Sequence, residues 1–143
     1  MRYFIFLLAF IGSFSTKASE PEPLADLSGF KWEHRVVLFD HLESTDIQRL
    51  LVTYRNELSD RDILWFILGE GKVQSNYKGE IATDFSTRMR QQYRIGSHKI
   101  ILIGKDGGVK SRLEQIDLEA IFTDIDAMPM RRQEMQQQEM QRQ

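Results

Sequence analysis

The 143-residue chain contains no cysteine, and it has only three prolines and three histidines. Without cysteine it can form no disulfide, no zinc–thiolate site, no iron–sulfur cluster and no thiolate nucleophile. A large charge of one sign is also missing, because 19 basic and 21 acidic residues leave a formal net charge of −2. Domains that bind nucleic acids usually carry a basic surface, so this balance excludes nucleic acid as the expected partner.

The longest apolar run lies at the amino terminus. Arg2 is followed by nine apolar residues, 3–11, and then by mostly small residues up to Ala18. A membrane-spanning helix needs about 20 apolar residues, so this shorter pattern is typical of a signal peptide over residues 1–18. We therefore expect a periplasmic or secreted protein without a membrane span after signal cleavage. Cleavage would remove Arg2 and Lys17 and change the net charge to −4.

Three further apolar runs, at residues 35–40, 62–68 and 99–103, are rich in β-branched and aromatic side chains. None of them alternates between apolar and polar residues, which is typical of strands that are buried on both faces of a sheet. A fourth run at residues 109–113 does alternate, and this predicts an edge strand. The preceding Asp106-Gly107-Gly108 predicts a tight hairpin, because these residue types tolerate positive φ.

Helical periodicity occupies the gaps between these runs. One helix face is predicted from apolar residues spaced three and four apart, Ile47, Leu50, Leu51, Tyr54 and Leu58. Thr45 and Gln48 predict a capping box at its start, and a shorter helix is expected at residues 86–93. Asp117 predicts the N-cap of a last helix that ends before Pro129. The predicted order is β-α-β-α-β-β-α, with a mixed four-stranded sheet flanked by helices.

Two segments lack such periodicity. The chain is polar between Gly69 and Asp84, and a connection of that length is unusual. Residues 133–143 are rich in glutamine and methionine without an apolar face, which predicts a disordered tail. A single folded domain is therefore expected over residues 24–132.

Three strings of residues resemble a known family. They are Trp32-x-x-Arg35-Val-Val-Leu-Phe39, Leu102-Ile-Gly-Lys-Asp-Gly-Gly-Val-Lys110 and Ile125-Asp-Ala-Met-Pro-Met-Arg131, of which the last is the most specific. Together they are similar to domain-of-unknown-function family 4174, which is found in secreted bacterial proteins and in some animal matrix and sushi-repeat proteins. The resemblance covers about residues 24–132. It implies a thioredoxin- or peroxiredoxin-like fold with no established activity, and it supplies no catalytic residues.

The redox apparatus of thioredoxin-like enzymes is missing from this chain. Such enzymes place a low-pKa thiolate at the start of the helix that follows the first core strand. Here residues 41–45 occupy that position, and residues 95–98 lack the proline that normally precedes the third strand. The resemblance therefore implies the fold without its thiol chemistry, and we expect no cofactor.

Polar residues follow the first buried strand at the edge where open α/β sheets bind ligands. Asp40, His41 and Glu43 come directly after that strand, and a thioredoxin-like fold would bring His98 beside them. These four residues are the candidate binding site. The fold pattern without its thiol chemistry, together with the export signal, favours a non-enzymatic interaction module whose partner is a protein. The simpler interpretation is that they are solvated loop residues, with Glu43 favoured electrostatically at a helix N-terminus.

Two alternatives stay open. Asp40, His41 and His98 could ligate zinc or copper and support a metal-dependent or peroxide-handling activity. The methionines of the tail could instead bind cuprous ion through their thioethers. That second site would draw on Met128, Met130, Met135 and Met140.

We expect the mature protein to show no disulfide reductase or thiol peroxidase turnover, because both reactions need a sulfur nucleophile. The measurement is steady-state turnover of a disulfide and of hydrogen peroxide by protein freed of contaminating reductases. Sustained turnover would contradict this prediction, whereas stoichiometric methionine oxidation would not, since it consumes the side chain.

Overall fold

The structure, a computed structural model, describes residues 18–143, and residues 1–17 of the expected signal peptide lie outside that range. The fold of the described residues is built on one mixed β-sheet. Its strands are β1 (Arg35–Phe39), β2 (Ile63–Ile67), β3 (Gln74–Ser75), β4 (Ile100–Ile103) and β5 (Val109–Leu113). They lie in the order β3-β2-β1-β4-β5. Only β1 and β2 run parallel to each other; the other neighbours are antiparallel.

The four strands predicted from apolar runs are all present, and the mixed α/β class is confirmed. The expected number of four strands is wrong, because a fifth strand forms within the polar connection between Gly69 and Asp84. In this strand Ser75 pairs with Phe66 and Gln74 pairs with Ile67. A strand of two polar residues produces no hydrophobic pattern, so sequence periodicity could not reveal it.

Five α-helices lie among the described residues. They are α1 (Ser44–Thr53), α2 (Arg55–Asp60), α3 (Phe85–Gln92), α4 (Leu118–Asp126) and α5 (Pro129–Gln141), and a short 3-10 turn at Ser28–Phe30 precedes β1. The helix predicted over residues 47–58 is divided at Tyr54, which ends α1 with φ −97° and ψ 20°. Asp117 caps α4 as predicted, because its Oδ1 accepts a hydrogen bond from the Ala120 amide at 2.9 Å.

The capping box predicted at Thr45 and Gln48 is wrong. Helix α1 begins at Ser44, and its N-cap is Glu43, two residues before Thr45; Glu43 makes no side-chain capping hydrogen bond. Both predicted box residues therefore lie inside the helix, where they cannot cap it.

Apolar side chains cover both faces of the sheet. Alternate residues of β1 point to opposite faces, so Val37 and Phe39 pack under α1, α2 and α4, while Val36 and Leu38 pack on the α3 side. All five residues of β1 and all four of β4 are buried. These runs therefore lack alternation because their strands are buried on both faces of the sheet, as predicted.

The carboxyl-terminal tail differs from the expected disorder. Residues 129–141 form α5, with Pro129 in its first turn, where a proline favours helix formation. The inward face consists of residues that are less exposed than their neighbours, Arg131, Glu134, Met135 and Gln138. Their spacing of three and four is helical, but three of the four are polar, so hydrophobic periodicity did not indicate it.

Glu134 attaches α5 to the sheet through two buried cations. Its carboxylate accepts hydrogen bonds from Arg35 Nη1 at 3.1 Å, from Arg35 Nη2 at 3.3 Å and from Lys105 Nζ at 2.7 Å. Arg35 is only 1% exposed and Lys105 is 9% exposed. Burial alone raises the pKa of Glu134, but hydrogen bonds from Lys105 and Arg35 outweigh it and hold that pKa below its usual value.

Arg131 attaches α5 to two other helices. It is 2% exposed, and its Nη2 donates to Asp60 Oδ2 at 2.6 Å while its Nε donates to Asp126 Oδ1 at 3.2 Å. Asp126 also accepts a hydrogen bond from Arg61 Nη2 at 2.7 Å. These contacts join α5 to α2 and α4 through polar groups.

Replacing Glu134 by alanine should lower the free energy of unfolding by about 3 kcal/mol, because it leaves Arg35 and Lys105 buried without their shared carboxylate. Urea unfolding at pH 7 measures the change. The matched control is Glu139→Ala, an exposed position on the same helix that should change stability by less than about 0.5 kcal/mol. Equal effects of the two substitutions would mean that the buried ion pairs do not hold α5 in place.

Candidate functional site

The predicted site lies beyond the carboxyl end of β1. The Asp40 amide donates to the Lys99 carbonyl at 2.9 Å, which extends the pairing of β1 with β4 by one residue. The chain then turns into α1 through residues 41–43. The bend at residues 96–98, which leads into β4, lies against this turn.

Asp40 is a buried, fully engaged carboxylate. It is 3% exposed, and Arg90 binds it with two hydrogen bonds, from Nε to Oδ2 at 2.8 Å and from Nη2 to Oδ1 at 3.0 Å. The His41 amide also donates to Oδ1, at 2.9 Å. Burial alone raises the pKa of Asp40, but the hydrogen bonds from Arg90 and the His41 amide outweigh it and lower that pKa. Asp40 is therefore charged and braces the turn.

His41 links the turn to the facing bend. Its backbone has φ 55°, a left-handed conformation that few residue types other than glycine adopt readily. Its Nε2 donates to the Gly96 carbonyl at 2.8 Å and lies 3.6 Å from Asp40 Oδ2. About half of the side chain stays exposed, at 51%. The structure thus brings His41 beside the bend that carries His98.

His98 and Glu43 have separate local roles. His98 Nδ1 donates to the Ile95 carbonyl at 3.0 Å, and its side chain is partly buried. Glu43 is exposed and occupies the N-cap position of α1, where its carbonyl accepts a hydrogen bond from the Ile47 amide at 3.3 Å. The binding role assigned to these residues stays a prediction.

Arg90 is the residue that the sequence interpretation missed. It lies on α3 directly after Met89, which is buried in the core, and its side chain is one-third exposed. The available signal was Asp40 itself, because a carboxylate at the end of a buried strand needs a cationic partner. The sequence does not indicate which of its many basic residues provides that cation.

The geometry does not favour either metal alternative. Both oxygens of Asp40 are bound to Arg90, and the described part of the chain contains no cluster of three or more His, Asp or Glu side chains able to hold a metal ion. In α5, a spacing of five residues places Met130, Met135 and Met140 about 140° apart around the helix, so they do not converge.

Fold and site together define a mixed α/β domain in which the Asp40–Arg90 ion pair stabilises the turn at the carboxyl end of β1. The chain belongs to the family described as Domain of unknown function (DUF4174), whose model matches residues 26–134, and the resemblance in the three strings is confirmed. No curated protein matches the chain, and no solved structure matches it. Within residues 18–143, no helix is both long and apolar enough to cross a membrane.

Replacing Arg90 by glutamine should lower the free energy of unfolding at pH 7 by about 2 kcal/mol, because Asp40 stays buried without its cation. In the wild type, the lowered pKa means that the stabilisation from Asp40 is present above about pH 3.9 and is lost as the pH falls through the folded-state value. Without Arg90, burial raises that pKa, so the deficit of the variant should shrink between pH 7 and pH 4.

Urea unfolding at both pH values measures this effect. The control is Arg88→Gln on the same helix, since the side chains of Arg88 and its partner Asp84 are both more than half exposed. We expect little change from it at either pH. A deficit of Arg90→Gln that is equal at pH 7 and pH 4 would show that Arg90 acts through packing instead of charge.

Proposed function

We propose that this chain is an exported, non-enzymatic binding domain with a thioredoxin-like fold and that its partner is a protein. The strand order β2-β1-β4-β5, with a parallel central pair and a final antiparallel hairpin, supports this fold. The signal-like pattern of residues 1–18 supports export, and the lack of cysteine removes the usual chemistry of the fold.

One observation carries the choice of surface: two hydrogen-bonded contacts fix the turn and bend at the carboxyl end of β1. The Asp40–Arg90 ion pair braces the turn against α3, and His41 bonds to the carbonyl of Gly96 in the bend. Glu43 and half of the His41 side chain nevertheless face solvent. A surface that is already ordered loses little conformational entropy when a partner binds, which favours recognition.

The test compares a variant of this surface at the carboxyl end of β1, called the edge variant, with a variant of β5, which is an outer strand of the sheet. Asparagine tolerates the positive φ at residue 41, so the edge variant is His41→Asn with His98→Gln. The control is Lys110→Ala on β5. The wild type and both variants are used to capture partners from the extracytoplasmic fraction of the source cells. The affinity of the wild type and of each variant for every recovered partner is then measured with purified proteins.

We expect the wild type and Lys110→Ala to bind the same protein with similar affinity. The edge variant should bind it at least tenfold more weakly, which is about 1.4 kcal/mol, while its melting temperature stays within about 3 °C of the wild type. Unchanged binding by the edge variant, or a loss confined to Lys110→Ala, would place the interaction elsewhere. Turnover of a substrate at this edge would contradict the non-enzymatic assignment.

A further inference from the structure

A cleft lies between the helices α1 and α2 on one side and the strand β2 on the other. Its volume is about 570 Å³, which is within the range of about 300–1,000 Å³ that is common for small-molecule sites. Its floor is continuous with the core, because Leu51, Leu58 and Ile63 line it and are only 4%, 3% and 3% exposed. None of the residues of the proposed protein-binding surface at the carboxyl end of β1 lines it.

The cleft is open because β3 is too short to cover all of β2. Only Phe66 and Ile67 of β2 pair with β3, so the earlier part of β2 has no strand on its outer side. Leu64 and Trp65 belong to that part, and both line the cleft and are only partly buried. The cleft therefore presents an aliphatic and an aromatic side chain that the fold does not fully bury.

The side chain of Asn76 takes the place of a strand beside this part of β2. Its Oδ1 accepts a hydrogen bond from the Trp65 amide at 2.8 Å, and its Nδ2 donates to the Ile63 carbonyl at 3.0 Å. An extended peptide that added to the sheet here would need these same two backbone groups. The edge of β2 therefore does not favour a peptide strand as the occupant.

A side-chain hydrogen bond connects the two walls of the cleft. Gln48 of α1 lines the cleft, and its Nε2 donates to Gln74 Oε1 on β3. A helix of a partner protein needs an open hydrophobic groove, which this bond interrupts. A cleft that is bounded in this way fits a small molecule.

The charged residues of the wall select the headgroup of that molecule. Arg55 is exposed at the start of α2, and the ion pairs among the described residues do not include it. Asp62, the acidic residue of the wall, is already paired with Lys105 Nζ at 2.9 Å. The wall therefore offers a guanidinium without a partner, and a guanidinium matches the geometry of a carboxylate.

We propose that this cleft binds a monoanion with an aliphatic chain, such as a medium-chain carboxylate. The carboxylate pairs with Arg55 at the mouth, and the chain lies on Leu51, Ile63 and Trp65. Burial of the chain supplies most of the affinity, and Arg55 sets the orientation of the ligand. The proposal goes beyond the protein-binding function and does not depend on it, since the two sites share no residue.

The test is a titration of the ¹⁵N-labelled mature protein with sodium octanoate below its critical micelle concentration. The chain contains two tryptophans, and Trp32 does not line the cleft, so it serves as an internal reference. We expect octanoate to shift the indole N–H resonance of Trp65 in a saturable way and to leave that of Trp32 almost unchanged. The variant Trp32→Phe assigns the two resonances.

Two control ligands separate the contributions of the chain and of the charge. Butanoate keeps the carboxylate but lacks four methylene groups, each of which changes affinity about fourfold when it is buried. Butanoate should therefore bind at least about twentyfold more weakly than octanoate. Octylammonium keeps the chain and reverses the charge, and repulsion from Arg55 should make it bind at least about fivefold more weakly.

A matched pair of variants tests the role of Arg55. Arg55→Gln and Arg49→Gln each remove one positive charge from an exposed position of α1 or α2, but Arg49 does not line the cleft. Arg55→Gln should weaken octanoate binding about fivefold, which is about 1 kcal/mol, without weakening octylammonium binding. Arg49→Gln should change neither affinity by more than about twofold, and both variants should melt within about 3 °C of the wild type.

Four results would overturn the proposal. One is the absence of a saturable shift of the Trp65 resonance, and another is an equal shift of the Trp32 resonance, which would indicate unspecific association. An equal loss of octanoate affinity in the two arginine variants would mean that general charge attraction, and not Arg55, holds the ligand. Octylammonium binding as tight as octanoate binding would contradict the assignment of an anionic ligand.

Discussion

The guanidinium of Arg35 imposes a strong constraint on this fold. It begins the central strand and is 1% exposed, so its charge must be balanced inside the protein. Glu134 supplies that balance from 99 residues further along the chain, and it binds Lys105 at the same time. A helix that brings Glu134 to this place has to follow the last core helix closely. The position of α5 thus follows from the need to neutralise two cations at the amino end of the sheet.

Each end of β1 carries a buried charge that is neutralised by an ion pair with a distant part of the chain. At the carboxyl end Asp40 is buried and Arg90 pairs with it across 50 residues of sequence, as Glu134 pairs with Arg35 at the amino end. A chain without cysteine cannot cross-link such distant segments covalently. Buried ion pairs add little net stability compared with apolar packing, but removing one partner is strongly unfavourable. These pairs therefore specify which segments meet, while the two apolar layers supply most of the driving force for folding.

The parts of the fold that follow from apolar patterning were predictable, and those that follow from polar matching were not. The runs at residues 35–40 and 99–103 indicated buried strands because burial on both faces needs continuous apolar sequence. The cap at Asp117 was predictable because capping is a local interaction. By contrast, Glu134 and Arg90 pair with residues far away in sequence. The sequence does not distinguish an acidic or basic residue that will form a buried ion pair from one that will stay on the surface. The predicted site has the same limit: the sequence placed Asp40 at the edge of the sheet, but only the fold showed that Arg90 engages both of its oxygens.

The ion pairs of α5 also affect the surface of the domain at the amino end of β1. A crevice there has one wall on the β4–β5 turn and Trp32, and the other on the first turn of α5. It exists only while Glu134 and Arg131 hold that helix against the sheet and against α2 and α4. The same polar contacts that fix the carboxyl-terminal helix therefore determine whether the crevice is formed.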